Sequence, residues 1–402
     1  MKRVLHRGRG HGVQIGMRKV ATFALALCVA ASASGHVSAE EGVSDDKILF
    51  GQSAAFKGPA SALGVGVREG ILAAFNEANR SGGVHGRRLE LVSYDDGYEP
   101  RKAIDNTRRL IENEHVFALL GEVGTPTSLA VQPIATLAKV PFIGPVTGAG
   151  FLRDARLRNV INIRASYEEE TEEWIRYLVD DLGLARVAIL YQDDSFGRAG
   201  LTGVIKALDR RGLSIVAEGT YMRNTTAVKT AFLAIRRSHP DAVAMVGAYK
   251  PCADFIKLAR QFDLDARFVN ISFVGSRALA KELGDDGKGV IVSQVVPLPD
   301  DRANPIVRRY RDALVAFSPD SKPGFVSLEG YLIGRFVVEA LRKTGPDLTR
   351  EKFLTTIYDV GEFDLDGLVL AYGSGDNQGM DRVFITVIGS DGRFGKVGNV
   401  KE

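Results

Sequence analysis

Lys47-Ile-Leu-Phe-Gly-Gln-Ser53 is an apolar run of strand length, and the turn-rich Phe56-Lys-Gly-Pro59 follows it. A helical stretch comes next, carrying Gly70-Ile-Leu-Ala-Ala-Phe-Asn-Glu-Ala-Asn-Arg-Ser-Gly-Gly83 and stopped by its paired glycines. A second strand ends in Tyr94-Asp-Asp96. A third, Val116 to Leu120, runs into Gly121-Glu-Val-Gly-Thr-Pro-Thr-Ser128, and a fourth, Val140 to Gly144, runs into Pro145-Val-Thr-Gly148. The alternation continues downstream. Val187-Ala-Ile-Leu-Tyr191, Ala242-Val-Ala-Met-Val246 and Val290-Ile-Val292 read as strands buried on both faces. Helical stretches are expected over Thr171 to Leu182, Leu201 to Arg211, Thr226 to Arg237, Ala253 to Phe262, an amphipathic Phe325 to Arg342, and Arg350 to Ile357 with Thr349 as N-cap. Such alternation predicts an α/β chain with parallel sheets and crossover helices.

Residues 1–39 hold six of the 52 Lys and Arg and no Asp or Glu. Val20 to Ser34 is apolar or small throughout, and Val37-Ser38-Ala39 has small residues at the spacing of a signal-peptidase site. This reads as a cleaved secretory signal, with Met17 as an alternative start. Leu27 stands before Cys28 where a lipidated cysteine needs a small residue, so no lipid anchor is expected. Without the leader the formal charge falls from +3 to −3, and the argument for nucleic acid or a membrane surface goes with it. The remaining 363 residues exceed one usual core, so two domains are expected. Cys252 is then the sole cysteine, and no intrachain disulfide can form.

Most motifs that carry chemistry are missing. Gly64-Val-Gly-Val-Arg-Glu-Gly70 stands about a dozen residues past the first strand, too late for a dinucleotide turn, and reads as glycines for close helix packing. His85, His115 and His239 have no partners at metal-ligand spacing and read as surface residues. Cys252 reads as a small buried side chain at a helix start, and no catalytic nucleophile with a base is found. Asp95-Asp96 and Asp285-Asp286 read as turn residues, while Asp193-Asp194 at a strand end could face a cleft. The Gly121–Ser128 segment differs. Thr125 as N-cap with Pro126 at the first helical position would set free backbone N–H groups beside hydroxyls, which is an anion site or simply a cap.

In this order the segments resemble the branched-chain amino-acid-binding proteins, the periplasmic receptors of ABC importers. The resemblance implies two Rossmann-like lobes joined by a three-strand hinge that closes on a ligand. Crossovers are expected near Arg164-Ala-Ser166, near Val295-Val-Pro297 and after Phe363. The first lobe then comprises 40–164 plus 297–363, and the second 165–296 plus 364–402. By the same likeness Thr125, Val146 and Thr147 line the ligand from the first lobe. Phe196 and Tyr249 line it from the second, and Phe325 adds an aromatic wall. Many relatives carry a disulfide where Tyr98 and Gly124 stand here. Members specific for α-amino acids place an acid after the strand read as Phe268 to Ile271, whereas this chain has Ser272 and Phe273. Either Asp194 or Glu122 replaces that acid, or the ligand lacks the amine. The implied function is a monomeric, non-enzymatic periplasmic receptor. It needs neither metal nor cofactor, and it passes a small carboxylate-bearing ligand, an amino acid, amide or aromatic acid, to an importer permease. A sensory receptor of the same fold is the alternative.

Overall fold

The structure, a computed structural model, describes residues 40–397, and the expected secretory signal lies outside them. Two sheets organise the chain. The first is wholly parallel, in the order β2-β1-β3-β4-β5, with β1 Lys47–Ala54, β2 Arg88–Asp95, β3 Ala118–Leu120, β4 Phe142–Ile143 and β5 Val160–Ile161. The second takes β6 Val187–Gln192, β7 Glu218–Tyr221, β8 Ala242–Val246, β9 Arg267–Asn270 and β10 Ile291–Gln294. Its order is β14-β13-β10-β9-β8-β6-β7. Here the parallel expectation needs amending. β13 Phe384–Ile388 pairs antiparallel with β10, and β14 Phe394–Lys396 pairs antiparallel with β13. A turn closed by Gly389 N–H donating to Arg393 O makes this edge hairpin. A separate hairpin joins β11 Glu362–Leu365 to β12 Leu368–Ala371.

The helices are α1 Ser61–Arg80, α2 Pro100–Glu112, α3 Thr125–Leu137, α4 Tyr167–Ile175, α5 Ser195–Asp209, α6 Lys229–Arg237, α7 Tyr249–Gln261, α8 Ser276–Leu283, α9 Pro305–Phe317, α10 Phe325–Thr344 and α11 Arg350–Val360. Thr349 caps α11 as expected, accepting from Lys352 N–H at 3.1 Å. α4 runs on into a π-helical turn over Arg176–Asp181.

The glycines around Gly64 serve packing. A Cβ on Gly70 would lie 2.0 Å from Ser327 O, and one on Gly330 2.2 Å from Val67 O. Backbone therefore touches backbone where α1 meets α10. The expected amphipathic helix is in fact buried on most faces, Glu329 and Arg335 included. Its Leu328, Tyr331, Leu332 and Phe336 join the main core, and burying each such side chain contributes about 1.5–3 kcal/mol.

The chain leaves the first sheet after β5 and returns to first-lobe helices after β10. The third passage differs from expectation. Phe363, Leu365 and Leu370 are buried, and Phe363 stacks edge-on with Phe336 of α10 at 5.1 Å. The β11–β12 hairpin therefore packs against α10. The passage comes beside Gln378, which forms a parallel bridge with Asn162, so two hinge strands run together.

Candidate functional site

Strands β1, β3 and β4 point their C-terminal ends at one region, and a parallel bridge between Val123 and Val146 carries the β3–β4 pairing past the strand ends. Val146 N–H donates to Glu122 O at 2.7 Å, and Gly124 N–H donates to Val146 O at 3.2 Å. This pins the two loops together. Thr125 and Thr147, both buried, then meet with Oγ1 atoms 2.6 Å apart. Thr125 is not the cap. Gly124 holds that position and Thr125 is the first helical residue. The hydroxyl of Thr125 is turned to Thr147 and away from its own helix, whose free N–H groups stay directed at the same region. Val146 contributes its backbone, with one carbonyl lone pair already used by Gly124.

A run of rings crosses from the second lobe to the first. Tyr167 meets Phe196 at 5.5 Å between centroids, Phe196 meets Phe273 at 4.8 Å, and Phe273 meets Tyr98 at 5.9 Å. Of the residues expected to line a ligand, Phe196 belongs to this run, which also takes in Tyr167 and Tyr98. Tyr249 and Phe325 lie outside this run. Tyr249 is buried close to Gly275, and Phe325 packs edge-on against Phe394 at 5.3 Å beside a cavity of about 330 Å³ that also borders Gly66 and Arg277. A larger cavity, about 640 Å³, borders Asp241, Arg267 and Lys288 at the opposite end of the second sheet's strands.

Ser272 stands on a buried ionic group. Arg164 Nη2 pairs with Glu170 Oε1 at 2.8 Å and Nη1 with Glu329 Oε1 at 3.4 Å. Glu170 also accepts from Ser272 N–H at 2.9 Å, Ser272 Oγ at 2.8 Å and Ser293 Oγ at 2.5 Å, and Arg164 donates to Ser272 Oγ. Against the opposing effect of burial, the two carboxylates raise the Arg164 pKa and keep it charged. Burial pushes the Glu329 carboxyl up, with Arg164 pulling the other way. Because α10 carries Glu329 and α4 carries Glu170, the guanidinium ties the two lobes together.

Neither candidate acid is free for an ammonium. Asp194 caps α5 by accepting from Phe196 N–H at 2.9 Å, accepts from Gln192 Nε2 at 2.7 Å, and pairs with Arg223 at 3.0 Å. Glu122 is fully buried and accepts from Ser53 N–H at 3.0 Å, and burial holds its carboxyl well above the usual range, which disfavours its charged form. Arg223 also pairs with Glu99 at 3.1 Å, and Asn224 donates to Glu99 Oε1 at 2.7 Å and to Gly97 O at 3.1 Å. The loop around Arg223 thus grips the first lobe across the cleft mouth.

The profile of the periplasmic binding protein family matches residues 47–393. The chain belongs to this family. Among solved structures, a possible leucine/isoleucine/valine-binding protein from Rhodopirellula baltica superimposes with a TM-score of 0.82. It is 37% identical, and the match covers 88% of this chain and 96% of that one. A substrate-binding periplasmic protein from Ralstonia solanacearum gives 0.81 at 27% identity, covering 87% and 99%. A Leu/Ile/Val-binding protein homologue from Brucella abortus is 26% identical over 59% of this chain, and the match spans 60% of that relative's length.

Among the described residues of this family member, no cluster of three or more His, Cys, Asp or Glu is placed to hold a metal ion, and no helix is long and apolar enough to cross a membrane. Cys252 is buried in the first turn of α7, and burial pushes its thiol up. His85, His115 and His239 are exposed, each at a left-handed turn with φ near +50°. The hidden signal for Glu170 was helical phase. Tyr167, Glu170, Thr171 and Trp174 share the buried face of α4, so the third acid of Glu168-Glu169-Glu170 turns inward while its neighbours do not.

Proposed function

We propose that this chain is a periplasmic receptor that encloses a small carboxylate between its lobes and delivers it to the permease of an ABC importer. The observation that carries this is the Thr125–Thr147 hydroxyl pair at the N-terminus of α3. Free helix N–H groups and hydroxyls together favour an anion. The ring run beside it, Tyr167 to Tyr98, favours an apolar or aromatic body for that anion. The names of the Rhodopirellula and Brucella relatives support a ligand of amino-acid size. The lobes are 40–164 plus 297–377 and 165–296 plus 378–397, hinged beside Asn162 and Gln378. Export as a monomer beginning near Glu40 completes the reading, and intact-mass analysis of periplasmic extract checks it.

The test of function is a thermal-shift screen of amino acids, their keto acids and aromatic acids. A ligand at ~100 times its Kd adds about 2.7 kcal/mol of stability, enough to identify it. Stabilisation by neutral sugars or amides, with no response to any carboxylate, would reject the proposal.

A further inference from the structure

We infer that the Tyr167 hydroxyl is a third ligand contact, completing with Thr125 and Thr147 a cradle of three hydroxyls for one carboxylate. The inference rests on the carboxylate-receptor reading above and adds a residue that determines specificity within it.

Tyr167 opens α4, where Ser166 and Glu169 form a capping box that fixes the start of the helix. Its N–H donates to Gly148 O at 2.7 Å, which ties it to the loop bearing Thr147. The ring lies so close that a Cβ on Gly148 would sit 2.5 Å from Tyr167 Cδ1. The side chain is therefore held against the threonine pair from outside the first sheet. It is 1% exposed, yet among the described residues no aligned hydrogen-bond partner meets its hydroxyl. Both threonine hydroxyls lie beside it, but they are bonded to each other at 2.6 Å. Burial keeps the phenol protonated, against smaller opposing effects of Arg164 and the two threonines.

A buried phenol whose hydroxyl meets only two threonine hydroxyls already bonded to each other is poorly satisfied, which is costly unless something else completes it. A carboxylate offers about four lone-pair directions and accepts only. Three O–H donors meeting at one place match it, provided the Thr125–Thr147 bond opens and both hydroxyls rotate towards the ligand. The Arg164 guanidinium lies 5.7 Å from the Tyr167 ring centroid, but Glu170 and Glu329 balance its charge, so the cradle acts through its hydroxyls. A primary amide presents a single neutral acceptor oxygen, and its NH2 is met only if a hydroxyl turns round to accept, so it forgoes the charge-assisted bonds that a carboxylate draws from all three hydroxyls. The cradle therefore selects acids over their amides.

The experiment uses the mature chain and a panel of aliphatic and aromatic monocarboxylic acids, each with its primary amide. Thermal shift picks the acid that stabilises wild type most, and calorimetry then compares wild type, Tyr167→Phe and Thr125→Val with that acid and its amide. Tyr167→Phe should weaken the acid roughly tenfold to hundredfold, and move the amide by less than about threefold. Its melting temperature without ligand should stay the same or rise, since only an unsatisfied hydroxyl is removed. If Tyr167→Phe binds the acid like wild type while Thr125→Val does not, the receptor reading stands and the third contact is wrong. Equal loss of acid and amide in Tyr167→Phe would make the residue structural and also overturn it. If no acid stabilises wild type, both the reading and the inference fall.

Discussion

A Cβ on Gly124 would lie 2.1 Å from Cε2 of Tyr98, so the tyrosine ring fills the notch that the glycine leaves. Gly124 has φ +103° and Tyr98 φ +63°, so both loops are bent to make the contact. Where many relatives are expected to place a disulfide, this chain packs an aromatic ring on a bare backbone. The same ring reaches Phe273 and Gln192 of the second lobe.

Gly124→Ala should therefore cost about 1–3 kcal/mol, from the collision and from the backbone conformation that alanine resists. Adding Tyr98→Ala should return the collision part but not the backbone part. Urea unfolding of the two single variants and the double variant separates them, and an unaltered midpoint for Gly124→Ala would contradict the contact.

Arg164 is shared by two buried carboxylates from different lobes. Arg164→Met should lose about 3–5 kcal/mol, because the carboxylates remain buried without their cation. Glu329→Gln should cost less, since the longer 3.4 Å contact is the one removed and Glu170 still neutralises the guanidinium. Denaturant unfolding that ranks the two variants in the opposite order would reject this division.

Asp96 gives a pH dependence with a definite sign. Burial lifts its carboxyl from 3.8 to about 6, against hydrogen bonds from Tyr98 N–H and Ser53 Oγ, and the nearby Asp95 and Glu99 charges push the same way as burial. The folded state thus holds the proton more tightly than the unfolded chain. Its stabilising effect is complete below the unfolded pKa and is lost as pH rises to about 6. The fall amounts to up to about 3 kcal/mol. Asp96→Asn should flatten this part of a stability profile measured between pH 4 and 8, while buried Glu122, whose carboxyl is also raised, keeps a slope of the same sign in both proteins.

The fold was largely legible because buried parallel strands read as unbroken apolar runs: Ala242–Val246 is buried at every position. The edge hairpin of β13 and β14 was not: Phe384-Ile-Thr-Val-Ile388 is strand-like, but a single run does not show that it pairs antiparallel with β10, and the short Phe394–Lys396 carries no apolar run. Around the proposed site, the meeting of the loops that carry Thr125 and Thr147 was legible in the glycine-rich strand ends. The contacts of Tyr98 and the Arg164–Glu329 pair were not, because they join segments far apart in sequence. Tyr98 meets Phe273, and Arg164 meets Glu329. Nothing local in Arg164-Ala-Ser166 distinguishes a buried guanidinium from a solvated one.

The Arg223 grip should stabilise the closed form. Arg223 is 23% and Glu99 42% exposed in their side chains, so the pair itself is worth only about 0.2–1 kcal/mol. Glu99→Gln should speed ligand release by a small factor, less so at high salt, where the wild-type pair is already screened. Stopped-flow dissociation at low and high ionic strength checks this, and equal rates for variant and wild type at low salt would show that the grip has no part in closure.

The last prediction concerns the ligand's amine. An ammonium leaves water at acceptable cost only when a carboxylate meets it. Glu170 is committed to Arg164, Ser272 and Ser293, Asp194 is paired with Arg223, and burial disfavours the charged form of Glu122. Ser272, at the place of the usual acid, lends its own hydroxyl to Glu170. What this region offers instead is hydroxyls for a carboxylate and rings for an apolar body. The keto acid of leucine and phenylacetate should therefore bind more tightly than leucine itself. Thr125→Val should weaken the better of them roughly tenfold to hundredfold by removing one hydrogen bond to a charged group. Calorimetric titration of the three compounds decides the matter. Tight binding of leucine alone would mean that Asp194 gives up Arg223 on closure or that Glu122 ionises against the amine. Ser272→Glu is the converse experiment: placed beside Glu170 it should cost stability through like-charge repulsion, and any leucine affinity it brings would identify this position as the determinant of amine recognition.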